Sequence, residues 1–283
     1  MNKRVTILAL TFLLLAVFFA AAQHYRSREA PRTSRELTVY SDETVPEWTN
    51  SPVFEKDVFT FARIYYASDR SRMWGRRAGG WRTDDGVSDV NLSFRIQQVT
   101  SMKTDPNGRV LRITDPDLFD HPWIYIVEPG ALVFLDEEIP VLQKYLLNGG
   151  FLMFDDFWGE DAWENVEQEM AKVFPERRFV ELSLDHPLYN CVFPIKAKGQ
   201  VPNYVTGHNS QYTGVTWEQE DAREVHHRVI LDDKGRIMVI ATHNTDNGDG
   251  WEREGRSEYY FREFAEKTSY PLGINIIFYT MTH

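Results

Sequence analysis

Between Asn148-Gly149 and Asp155 the chain places five residues, Gly150-Phe151-Leu152-Met153-Phe154, with no polar side chain among them. A strand with one wet face alternates apolar and polar positions, whereas a strand covered on both faces is apolar throughout. The run therefore predicts an inner strand of a parallel sheet, and parallel strands need crossover connections, usually helices. The flanks supply them. Asp136 to Asn148 reads as a helix capped by Asp136, with Pro140 near its first turn and Asn148-Gly149 as its stop. A second helix is expected over about 160–173, then a strand near Arg178–Leu182. Upstream, Val58–Tyr66 reads as the first strand. Asp84, Asp85 and Ser88 offer N-caps for a helix of about 87–100, where Leu92, Ile96 and Val99 recur at helical spacing. Short strands are expected around Val110–Ile113 and Trp123–Val127, and a hairpin over 225–231 and 236–241 turning at Asp232-Asp233-Lys234-Gly235. In Ser269–His283, Leu272, Ile274, Ile276 and Phe278 alternate as in a strand, yet Pro271 suits a helix start. The strand–helix alternation predicts an α/β fold with a mostly parallel sheet and an appended hairpin.

The amino terminus stands apart. Lys3-Arg4 precedes an uncharged run from Val5 to Ala22 that ends in Ala20-Ala21-Ala22. That pattern predicts export through a cleaved signal peptide, with an uncleaved membrane anchor over 5–22 as the alternative. Either way the remainder is expected outside the cytoplasm, periplasmic or membrane-anchored. Residues 1–22 are thus signal or anchor, 23–57 read as a polar linker, and 58–283 as the domain. Lys+Arg 31 against Asp+Glu 42 leaves −11, which argues against nucleic acid as a partner. The single cysteine, Cys191, permits no intrachain disulfide and no zinc pattern. It lies in the apolar, strand-like Leu188–Phe193 and is expected to be a small buried hydrophobe, dispensable for activity.

Several stretches together carry a resemblance. They are Asp84-Asp85, Ser88–Leu92, Thr114–Leu118, Leu146–Gly159 and Asp185-His186-Pro187-Leu188. Over about 58–283 the chain resembles the bacterial family known as domain of unknown function 4159, most specifically in the run GGFLMFDDFWG. That family is similar to the class I glutamine amidotransferase-like superfamily, especially its ThuA-like branch, through His186-Pro187 and Gly235-Arg236-Ile237 followed by His243 and Trp251. The resemblance implies a flavodoxin-like three-layer sandwich and no established activity.

In amidotransferases the strand matching 150–154 ends in an elbow that presents a nucleophilic cysteine. Here that place reads Asp155-Asp156-Phe157-Trp158-Gly159, so glutaminase activity is rejected, since a thiolate must form the thioester. The aspartates are read as helix cap and loop acceptor, as ligand groups, or as acid–base residues. The loop His243–Trp251 is rich in Asp, Asn and Gly but lacks the calcium-loop spacing. No metal or other cofactor is expected. Ligands of open α/β sheets bind beyond the carboxyl ends of the strands. The candidate ligand-binding residues are therefore Asp155, Asp156, Trp158, His243, Asp246 and Trp251, with Arg63 and Tyr65 from the first strand. An arginine- and tryptophan-rich loop over 67–83 is a further binding surface. Three classes of function follow: a non-catalytic binding domain for a polar ligand or an envelope protein, a ThuA-like enzyme acting on a sugar-like substrate through Asp and His, or a structural part of an envelope assembly.

Overall fold

A computed structural model describes residues 31–54, 57–69 and 80–283. The expected signal or anchor and residues 70–79 of the arginine-rich loop lie outside the described residues. No helix among the described residues is long and apolar enough to cross a membrane.

Residues 32–283 form one compact unit. In chain order its elements are helix α1 (Ser34–Leu37), strands β1 (Ala62–Ile64) and β2 (Ala67–Ser68), α2 (Val87–Val99), β3 (Arg109–Leu111), β4 (Trp123–Val127), β5 (Leu132–Val133), α3 (Glu138–Leu147) and β6 (Phe151–Phe157). There follow α4 (Glu160–Val173), β7 (Val180–Glu181), α5 (Tyr204–Thr213), β8 (His226–Leu231), β9 (Ile237–His243), α6 (Asn247–Glu252), a π-helical stretch (Phe261–Ser269) and α7 (Tyr270–Thr282). The main sheet runs β3-β1-β4-β6-β9-β8-β7. Its first five strands are mutually parallel, and β8 and β7 extend it antiparallel. Counted along the chain, the parallel strands stand in the order 2-1-3-4-5, the arrangement of flavodoxin-like sheets.

Side chains alternate between two cores, as the pleat requires. Phe61, Trp123, Tyr125, Met153 and Ile240 face Leu92 and Ile96 of α2 and Leu272 and Ile276 of α7. Ile64, Ile124, Leu152, Phe154 and Ala241 face Leu142 of α3 and Val166 and Met170 of α4. The sheet is thus covered on both faces, which is why 151–154 is apolar throughout.

Several local expectations are corrected. The first strand is only Ala62–Ile64. Helix α2 is entered through Gly86, at φ 74°, with no side-chain cap. A Cβ there would meet the Ser34 carbonyl oxygen at 2.2 Å, so glycine is required both by φ and by space. Asp136 does not cap α3, whose N-cap is Glu137; instead Glu138 accepts from the Leu135 amide at 2.9 Å. Strand β6 continues through both aspartates to Phe157. The Cys191 segment is a 3-10 turn over Pro187–Asn190, not a strand, and Cys191 itself is half-buried. The last segment is helical, with Pro271 in its first turn. Where a linker is expected, part of 32–50 packs on the domain: Leu37 is fully buried and Trp48 Nε1 donates to the Thr104 carbonyl at 2.9 Å.

Candidate functional site

A doubly wound sheet opens where neighbouring strands send their connections to opposite faces. Here that point lies between β1, which leads to α2, and β4, which leads to α3. Arg63 stands on β1 and is fully buried. Its Nε and Nη2 bind Asp89 at 2.9 and 2.5 Å, Nη2 reaches Ser88 Oγ at 3.1 Å, and Nη1 donates to the carbonyls of Trp81 and Thr83 at 3.1 and 2.8 Å. All five N–H groups are therefore spent inside the protein. What they hold is the turn before α2, in which Asp84 and Asp85 take left-handed backbone at φ 67° and 41°. Short polar side chains tolerate that region best. The turn delivers the buried carboxylate of Asp84 to the switch point.

The end of β6 supplies the next two carboxylates, which point different ways. Asp155 is fully buried and accepts from Thr242 Oγ1 (2.5 Å), Asn247 Nδ2 (2.7 Å), Tyr125 Oη (3.0 Å) and the Gly248 amide (3.0 Å). It ties β6 to β9, β4 and the first turn of α6. Burial raises its pKa, and the four donors oppose that rise. Asp156 takes φ 55° and accepts from Trp158 Nε1 at 3.1 Å. Its pKa lies well above the usual carboxylate range, first from burial and then from the charges of Glu128, Glu218 and Asp84.

Helix α6 adds three more. Asp246 is its N-cap, accepting from the Asp249 amide at 2.7 Å. Burial, then Asp156 and Asp249, push the Asp246 pKa well up. Asp249 and Glu252, one helical turn apart, bring one oxygen each to within 4.8 Å of an oxygen of Asp84. The Glu252 carboxyl is pushed up to about 10 by burial and by the neighbouring Asp84 and Asp249. Arg253 Nε lies 2.8 Å from Glu252 and 3.7 Å from Asp249, while its Nη1 turns outward to Glu43.

The carboxyl edge thus gathers Asp84, Glu128, Asp156, Glu218, Asp246, Asp249 and Glu252. Of the residues expected at the site, Asp155, Asp156, Trp158 and Asp246 lie here. The others have different surroundings. His243 is fully buried on the α4 face, stacked on Phe157 and Trp163. Arg228 Nη1 donates to its Nδ1 at 3.0 Å, so the ring proton sits on Nε2 and bonds the Gly159 carbonyl at 3.0 Å. Burial lowers its pKa to about 4. Trp251 is fully buried against Tyr125, with Gly273 close enough that a Cβ would meet the indole at 2.6 Å. Tyr65 packs on Trp81 under the Arg112 guanidinium, and its neighbour Tyr66 turns to the edge instead, its hydroxyl shared between the carbonyls of Val127 and Glu128. Arg63 positions the Asp84 turn and has no donor left for a ligand.

Sequence reasoning missed Asp84, Glu128, Glu218, Asp249 and Glu252 as site residues. The i, i+3 spacing of Asp249 and Glu252 was the available signal, because it sets both on one helix face. A groove of about 620 Å³ lies elsewhere, lined by Thr60, Pro122 and Met281 near the amino ends of β1 and β4.

Chemically, the carboxyl edge offers many oxygen acceptors and no thiol or activated hydroxyl nucleophile among the residues described above. No curated protein matches the chain. The family model described as Domain of unknown function (DUF4159) matches residues 60–281, and the chain belongs to that family.

Proposed function

We propose that residues 58–283 form an exported, amidotransferase-like binding domain that has lost covalent chemistry and recognises a polar, donor-rich ligand at its carboxyl edge. One observation carries this reading. The described non-glycine residues with left-handed backbone, Asp84, Asp85, Glu128, Asp156 and Asn244, all lie at that edge. Such conformations cost up to about 1–3 kcal/mol each, least for Asp and Asn, and they cluster at functional sites. Burial raises the pKa of both Asp84 and Asp156, and the charge of Glu128 adds to each rise. Export is supported by Lys3-Arg4 and the apolar run behind it.

Loss of the nucleophile is supported by position. Burial raises the Tyr279 pKa and the nearby Cys191 adds to the rise, while Tyr279 bonds the backbone of Ile237, the first residue of β9. The carboxyl edge begins where β9 ends, at His243, about 20 Å away at the usual rise per strand residue. An enzyme on a sugar-like substrate is the second reading. It draws on Asp156, whose raised pKa would let it hold a proton as a general acid.

Thermal unfolding of the full chain against a panel of sugars, polyols and polyamines tests the proposal. A ligand that raises Tm saturably in the wild type, and less in Asp156→Asn, supports it. A panel without response, or a response indifferent to Asp156, contradicts it. Product formation from the same ligands would move the assignment to the enzyme.

A further inference from the structure

One oxygen each of Asp84, Asp249 and Glu252 lies within 4.8 Å of the other two. Three points so spaced always share a point no more than about 2.8 Å from each, just beyond the roughly 2.3–2.6 Å of calcium–oxygen bonds and well beyond the roughly 2.0–2.1 Å of magnesium. All three side chains are buried. Proximity of acids alone is weak ground, because a shared proton or Arg253 would satisfy it.

A second observation points to a ligand. Asp84 Oδ2 has no hydrogen-bond partner among the described residues, although the residue is only 8% exposed. A buried carboxylate oxygen ordinarily accepts from something. Neither nearby arginine fills the role. Arg63 has spent its five N–H groups on Asp89, Ser88 and two carbonyls, and Arg253 directs Nε to Glu252 and Asp249. The orphan oxygen is held over Gly248, where a Cβ would come within 2.2 Å of it. Next to Gly248, Asn247 Oδ1 is also buried without a partner.

We propose that Asp84, Asp249 and Glu252 bind a divalent cation through one oxygen apiece, calcium in preference to magnesium. This names a ligand for the edge assigned above and rests on that assignment only for its biological meaning. The cation would bridge the three crowded acids, and it would lock the Asp84 turn onto α6.

The test uses the full chain stripped with EDTA, with CaCl2 and MgCl2 as probes in calorimetric titration and thermal unfolding. Saturable calcium binding is expected, with Tm rising by about 5–10 °C at a hundredfold excess over Kd and less with magnesium. Asp84→Asn and Glu252→Gln should each abolish the rise. The calcium-free Tm of Asp84→Asn should equal or exceed that of the wild type, because one acid of the crowded set is gone; a purely structural Asp84 would instead lower it. If Asp84→Asn does not fold, Glu252→Gln and direct titration of the wild type decide. No saturable calcium binding by the wild type, or a rise unchanged in both variants, overturns the proposal. Calcium binding without any response to the sugar and polyamine panel sinks the binding-domain reading alone, and the converse pattern sinks the cation site alone.

Discussion

Arg63 separates a ligand-binding role from a positioning one. Replacing it with Met keeps the volume of the stem but removes five hydrogen bonds and the charge that balances fully buried Asp89. Breaking a buried ion pair from one side costs about 3–5 kcal/mol, because the remaining charge is stranded. Ser34 Oγ at 2.6 Å and Ser88 Oγ at 2.9 Å still donate to Asp89, so the lower half of that range is expected. At about 2–4 °C per kcal/mol for a chain of this size, Tm should fall by roughly 6–15 °C. The double variant Arg63→Met/Asp89→Leu should recover at least half of the loss, since removing both partners leaves no stranded charge. Urea unfolding of the wild type, both single variants and the double variant gives the cycle. A cost below about 1 kcal/mol for Arg63→Met, with ligand response lost, would refute the positioning role and restore Arg63 to the binding surface.

Acid should weaken the fold through its buried histidines. Burial lowers the His227 pKa to about 3, so the folded state refuses a proton that the unfolded state accepts below about 6.5; the contribution is complete above that pH and is lost as pH falls toward 3. The buried carboxylates, with raised pKa values, act in the opposite sense, so the comparison is between wild type and His227→Phe: the wild type should lose about 3 kcal/mol more between pH 7 and pH 4 in urea unfolding. Cys191→Ala should cost no more than about 1 kcal/mol and leave any ligand response intact, since its thiol donates only to the Pro187 carbonyl. Gly248→Ala should fold yet lose the calcium response in titration, because the new Cβ occupies the place of Asp84 Oδ2. Residues 1–40 fused to a reporter active only after export should give signal, and a reporter confined to the cytoplasm would contradict the export reading.

What could be read from the chain depended on whether the deciding interactions were local. The inner strand at 151–154 was legible because two covered faces demand apolar residues at every position. The start of α2 was not. Asp84 and Asp85 look like caps, but Arg63, about twenty residues upstream, pulls the carbonyls of Trp81 and Thr83 inward and rotates the turn left-handed. The last helix hid behind an apparent strand alternation, although Leu272, Ile274 and Ile276 are all buried in the same core. At the site, Asp155 and Asp156 were legible as a pair because they follow the apolar strand directly. Their division of labour follows from a β-bulge between Phe154 and Phe157, which no pattern announces. His243 and Trp251 were placed with the polar loop by their neighbours in the chain, whereas strand alternation turns His243 to the α4 face and packing buries Trp251. Asp84 joins Asp249 and Glu252 only through the tertiary fold.

The cation site proposed at the carboxyl edge is tested most directly by hydrogen–deuterium exchange of the full chain with and without calcium. Protection concentrated in residues 80–86 and 246–253, with the Pro187–Phe193 turn at the opposite edge unchanged, is the predicted result. Exchange indifferent to calcium in both of those segments, or protection confined to the groove lined by Thr60, Pro122 and Met281, would contradict it.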